Sequence, residues 1–321
     1  MNVQLSYHKV MNHKILMKVM HIMQLSKAQI IGKNIKKLRK QAQLTQVDLA
    51  QGIGTQAQIS KIEQGLVIPL STTLYEIAEK LGVDLHVFFE HVYEPQSNYL
   101  KEVKNQIRKE IRHRHYEEVE RILTFEAKNN IFQSDYDYQF FLWHKGILTF
   151  YIDQKHEKSI AFLEEAFKLT NKNNDTVTTL QEVEILNSIA IIYNEIQDYR
   201  QSIAKYKQAI RHFKEMIEIT DRRVEIRLYY GLAKSLFKNQ YYEESIAYCK
   251  KGINVCINEE ILYLLGELYY EQGQNYQALE KRVLAHNAYQ TAKQLFQIGK
   301  RPAFIKVVDE KLTVLKEDAS K

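Results

Sequence analysis

Proline and glycine are scarce, at 3 and 11 in 321 residues. Both interrupt regular backbone, so a chain this poor in them is expected to be mostly helix. Cysteine is scarcer still. Cys249 and Cys256 are too few for a disulfide framework, and their spacing fits no zinc or redox motif. They are expected as small buried apolar residues in reducing surroundings. No apolar run approaches the roughly 18 residues that a membrane span needs. Acidic residues are absent before Asp48, whereas nine basic ones, from Lys9 to Lys40, precede it. The rest of the chain is net −3, with 36 Lys and Arg against 39 Asp and Glu. Phosphate-binding glycine loops and nucleophile motifs are missing too. His113 and His115 alternate with Arg114, so they cannot share a helical face closely, and no acidic partner is read at ligand spacing. No catalytic residue, cofactor or metal is therefore expected, and the chain is not read as an enzyme.

What is present begins at Leu44. Thr45 to Gln51 and Gln56 to Gln64 read as two short helices around a turn that holds Gly52 and Gly54. Thr45 with Asp48, and Thr55 with Gln58, have capping-box spacing. Ile59 and Ile62 share a face, and Gly65 ends the second helix. A helix precedes the pair (Ile31, Ile35, Leu38, Ala42) and another follows it (Leu74, Ile77, Ala78, Leu81, stopped by Gly82). Val83 to Val92 reads as a fifth short helix. This is a helix-turn-helix, whose second helix fits the DNA major groove. The residues Leu44-Thr45-Gln46, Leu49-Ala50 and Ile59-Ser60-Lys61-Ile62-Glu63-Gln64-Gly65 resemble the core of the Cro/C1 repressor family.

Beyond the linker Glu94 to Asn98 and a helix from about Tyr99 to Arg112, the chain repeats. Ser159-Ile160-Ala161, Ser202-Ile203-Ala204 and Ser245-Ile246-Ala247 recur at a spacing of 43. Before each lies another helix, anchored at Trp143, Leu186 and Tyr229, with Phe150, Tyr193 and Leu236 seven residues on. An anchor, a small residue where helices touch, and a second amphipathic helix resemble a tetratricopeptide repeat. A less regular first unit spans about 101 to 128 (Tyr116, Ile122, Phe125), a fourth pair spans Glu260 to Gln297, and a helix from Pro302 to Leu315 caps the stack. The expected fold is all-α: a five-helix Cro/C1-type helix-turn-helix domain followed by a tetratricopeptide-repeat superhelix. The expected divisions are 1–28, a basic extension that is either disordered or precedes a true start at Met23; 29–93, the DNA-binding domain; 94–112, linker and linker helix; and 113–317, the repeats.

Together the two halves resemble the Rgg/PlcR (RNPP) peptide-sensing regulators, PlcR-type members most. The resemblance rests on GKNIKKLRKQAQLTQ, RHRHYEEVER, YYEESIAYCKKGINVC and GELYYEQGQ. It implies a cytoplasmic homodimer that binds double-stranded DNA at a palindromic operator. It also implies quorum sensing through a short re-imported peptide held in the repeat groove, which alters the disposition of the DNA readers and so transcription. The same motifs also allow a phage-type or antitoxin-like repressor whose repeats hold a protein partner.

The candidate DNA-reading residues are Gln46, Thr55, Gln56, Ala57, Gln58, Ser60, Lys61, Lys36 and Arg39. Gln46 opens its helix facing a phosphate. Gln56, Ala57 and Gln58 open the recognition helix, where glutamine can pair with adenine and alanine can touch a thymine methyl. Gln58 has a rival role as capping partner of Thr55. Ser60 and Lys61 reach backbone or base edge, and Lys36 and Arg39 reach phosphate or simply form a solvated face. The resemblance implies peptide contacts at Asn187, at Gly231 as the corresponding place in the next repeat, and at Arg114 for a peptide carboxylate. Tyr230, Tyr269 and Tyr270 are candidates for packing peptide side chains.

Overall fold

A computed structural model describes residues 27–89, 95–170, 179–216, 219 and 221–317. The basic extension therefore lies almost wholly outside the described residues. Among those described there are fifteen α-helices, one 3₁₀ helix and no strand, and no helix is long and apolar enough to cross a membrane. The chain divides between Arg114 and His115 into two compact units.

In the first unit, α1 (Lys27–Gln41), α2 (Gln46–Ala50), α3 (Gln56–Glu63), α4 (Ser71–Leu81) and the 3₁₀ turn Leu85–Phe89 surround one core. Ile31, Ile35, Leu49, Ile59, Ile62, Leu74, Ile77 and Phe88 fill it. The apolar spacing read from the sequence is thus the buried face, with one exception. Ala42 is exposed, because α1 stops at Gln41. Gly32 sets how closely α1 meets α3: a Cβ there would overlap the carbonyl oxygen of Ile62. Gly65 and Gly82 both adopt positive φ, at 70° and 65°, the left-handed conformation that ends a helix at low cost.

Helix α5 (Pro95–His113) begins earlier than the linker reading expects. Proline lacks only an N–H that the first helical turn leaves unbonded, and its fixed φ suits that turn, so Pro95 opens the helix.

The second unit runs α6 (Tyr116–Lys128), α7 (Asp135–Tyr151), α8 (His156–Thr170), α9 (Leu180–Glu195), α10 (Tyr199–Glu215), α11 (Arg222–Lys238), α12 (Tyr242–Asn258), α13 (Leu265–Ala278), α14 (Arg282–Ile298) and α15 (Pro302–Glu317). Helices α7 to α14 pack as four hairpins, and α15 covers the last. The repeated serine explains the repeated spacing. Ser159 donates to Gly146 O at 2.7 Å, Ser202 to Ala190 O at 2.7 Å and Ser245 to Ala233 O at 2.8 Å. Each is fully buried and ties the second helix of a hairpin to the backbone of the first, where a small residue lets them meet. Trp143, Leu186 and Tyr229 are buried as expected. Phe125 is not an anchor: it is 53% exposed, and Val119 and Leu123 carry the buried face of α6.

The turn inside each hairpin repeats as well. Gln154, Gln197, Gln240 and Glu280 have φ of 55°, 65°, 64° and 57°. Left-handed backbone costs a side chain that glycine lacks. Gln240→Gly is therefore expected to stabilise the repeats by about 1 kcal/mol, raising Tm by about 2–4 °C. A calorimetric scan showing no rise would contradict this.

Candidate functional site

The first unit presents α3 with its opening turn in solvent. Thr55 caps it, accepting from Gln58 N at 3.2 Å. Thr45 caps α2 reciprocally with Asp48, the backbone bonds being 2.8 Å and 3.1 Å. Only the hydroxyl half forms at Thr55, so the Gln58 side chain is not committed to a capping box. Gln56, Ala57, Gln58 and Lys61 are exposed, and Ser60 is half-buried and accepts from Gln64 at 3.1 Å.

Behind this face runs a connected line of polar groups. Arg39 donates to Glu63 at 2.5 Å and 2.9 Å and to Leu44 O at 2.7 Å. Gln46 donates to Glu63 at 2.9 Å, and Gln56 donates to the Gln46 carbonyl at 2.8 Å. Burial alone would raise the Glu63 carboxyl, but hydrogen bonds from Arg39 and Gln46 outweigh it and hold the group below its ordinary value. The orientation of Gln56 is thereby fixed from a buried charge. Its carbonyl and second N–H remain for a base, the pair of groups that matches adenine. Gln46 keeps one side-chain N–H and the backbone N–H of the first turn of α2.

Arg39 must be corrected. It is 7% exposed and its guanidinium is bonded inside the domain, so it is not available to a phosphate. Lys36 is exposed. The lack of an acidic neighbour for His113 is also corrected. Glu110, one turn earlier on α5, brings a carboxylate oxygen within 4.8 Å of its ring. That pair alone defines neither a catalytic nor a metal site.

Arg114, with φ of 61°, closes α5 in the first unit and is exposed. The other candidate ligand contacts lie on the first helices of three hairpins. Asn187 on α9 is 7% exposed, and Tyr230 and Gly231 on α11, with Tyr269 and Tyr270 on α13, are half-buried. Tyr269 packs against two core clusters, and Tyr270 stands 5.6 Å from Tyr289, so both serve the core. The pairing of Asn187 with Gly231 is out of step by one. The bonds from Ser202 to Ala190 and from Ser245 to Ala233 fix a period of 43, which places Tyr230 opposite Asn187 and Gly231 opposite Ser188.

Sequence reasoning missed the charges around Tyr230. Arg227 on α11 bonds Glu184 on α9 at 2.5 Å. Lys234 lies 5.7 Å over the Tyr230 ring. Glu271 on α13 is 4% exposed, and burial pushes its carboxyl up to about 7 although Lys234 and Lys238 oppose the shift. The signal was there as a four- and seven-residue spacing of cations, which apolar periodicity does not report.

The family model described as the RNPP family C-terminal domain matches residues 104–316, and a helix-turn-helix model matches residues 35–88. The chain is similar to Bacillus thuringiensis PlcR solved with the peptide PapR7 and DNA, at 26% identity over 87% of this chain and 99% of that one, with a TM-score of 0.71. It shares a fold with Streptococcus dysgalactiae Rgg2, an SHP pheromone receptor, at 16% identity over 88% of this chain and 98% of that one (TM-score 0.62). It also shares one with ComR from S. thermophilus in complex with DNA and its signalling peptide ComS, at 14% identity over 89% of this chain and 99% of that one (TM-score 0.57). No curated protein sequence matches it.

Proposed function

This chain belongs to the RNPP family, whose members are regulators rather than enzymes, and from that premise we propose how its two units divide the work. Residues 29–93 read an operator. Residues 94–112 connect, and residues 113–317 hold a short signalling peptide and pair two copies in the cytoplasm. The likeness to PlcR, solved with both a peptide and DNA along nearly its whole length, is the observation that carries this reading.

On DNA, Gln56 contacts an adenine from the orientation that Gln46 and Glu63 give it. Ala57 and Gln58 flank it, Thr55 and Gln46 approach the phosphates through the first turns of α3 and α2, and Ser60, Lys61 and Lys36 complete the contact. Arg39 acts one step removed, by holding Glu63. In the repeats, Asn187 and Tyr230 occupy equivalent places on neighbouring helices and face the same ligand. Peptide binding shifts the population of DNA-reading arrangements, and by linkage DNA changes peptide affinity by the same factor.

The test is fluorescence anisotropy on the DNA upstream of the gene, with and without the small-peptide fraction of the producer's spent medium. A change in affinity or stoichiometry is expected. Tight, specific binding that ignores the fraction would favour the protein-partner repressor instead. Gln56→Ala is expected to lose roughly 1–3 kcal/mol on the specific site and to relax discrimination there. An equal loss on random DNA would mean that Gln56 touches backbone only.

A further inference from the structure

The open face of α11 carries a line of cations. Arg223, Arg227, Tyr230, Lys234 and Lys238 follow at helical spacing, while Val224, Leu228, Leu232 and Leu236 turn into the core. Helices α9 and α13 flank α11, and α10 and α12 lie behind it, so the line has one open direction. Two of its cations have partners: Arg223 pairs with Asp221 at 2.8 Å and Arg227 with Glu184 at 2.5 Å. The Arg227 Nε, however, is buried and has no hydrogen-bond acceptor. A buried donor left unbonded costs about 1–3 kcal/mol, which an incoming acceptor would recover. Neither Lys234 nor Lys238 has an ion-pair partner among the described residues. The acid that acts on both, Glu271, is buried, and burial raises its carboxyl to about 7, so it offsets the two lysines only in part near neutral pH.

We infer that this face of α11 selects an anionic peptide, whose carboxylates are taken by Arg227, Lys234 and Lys238. The inference rests on the peptide-sensor reading and narrows it to a ligand class. Lys234 and Lys238 are one turn apart, about 6 Å along the axis, close to the separation of alternate side chains on an extended peptide. Tyr230 lies between Arg227 and Lys234 and supplies an apolar ring with a hydroxyl edge. Its phenol is raised by burial, so it stays protonated and can donate.

The experiment uses the immobilised full chain and three synthetic heptapeptide pools that share their apolar positions. Two further positions carry Asp or Glu in one pool, Asn or Gln in the second, and Lys or Arg in the third. Retained peptides are quantified by mass spectrometry for the natural chain and for the Lys234→Gln, Lys238→Gln double variant. Both lysines are exposed, so the variant keeps its fold. The acidic pool is expected to be retained about tenfold over the neutral one, with the preference falling at high salt and vanishing in the variant. Equal retention of all three pools, or a preference that survives the double substitution, would overturn the assignment while leaving peptide binding in place. Retention of no pool by either protein would count against both readings.

Discussion

Arg39→Ala is expected to unfold the DNA-binding unit while the repeats stay folded. The substitution removes two hydrogen bonds to Glu63 and one to Leu44 O, and leaves a carboxylate with 1% side-chain exposure without its countercharge and bonded by the Gln46 amide alone. Breaking a buried pair by deleting one partner costs about 3–5 kcal/mol, comparable to the whole stability of so small a core. The single tryptophan, Trp143, lies in the other unit, so its fluorescence should hardly change. Amide hydrogen exchange in α1 to α4 should lose its protection, and operator binding should disappear. Protected amides in α1 with normal DNA affinity would refute the structural role.

The same pair gives the DNA-binding unit an acid limit. The folded Glu63 carboxyl is held below its ordinary 4.5 by Arg39 and Gln46, although burial pushes the other way. A depressed carboxyl stabilises the fold fully above the unfolded value, and the stabilisation is lost as pH falls through the folded one. The natural chain should therefore keep a constant α1 to α4 stability from neutral pH down to about 4.5 and weaken below it. Protection that stays flat under further acidification would separate Glu63 from the stability of the unit.

Why Arg39 reads as a surface residue is instructive. It sits in a run with Lys33, Lys36, Lys37 and Lys40, all of them exposed, and composition alone assigns it to them. Its position holds the correction: Ile31, Ile35 and Arg39 step by four along α1, which is the core face. A charge on that face needs a buried partner, and Glu63 on another helix can be found only in three dimensions. The capping of α2 and the left-handed Gly65 and Gly82 were legible because they are local. In the repeats, the serine period was legible because hairpin packing imposes one bond per unit. The left-handed glutamines were not, since the usual residue at such a turn is glycine and nothing marks Gln154, Gln197 or Gln240 as its substitute.

Gly231→Ala is expected to cost about 3 kcal/mol in the repeat unit, at the upper end of what an added methyl does in a filled core. The added Cβ would overlap the hydroxyl and ring of Tyr206 on α10. That ring is 3% exposed and has no open side to swing into, so α10 and α11 must separate. Separation stretches a shared set of bonds. Ser202 on α10 meets Ser235 on α11 at 2.8 Å, and Asn194 on α9 donates to Ser235 at 2.6 Å. The fall in Tm, about 2–4 °C per kcal/mol for a unit of this size, should appear in Trp143 fluorescence, with α1 to α4 unaffected. The contrary outcome would be a Tm unchanged within a degree together with a changed peptide affinity. Gly231 would then face the ligand, as the resemblance alone implied, and Tyr206 would have room that its burial denies.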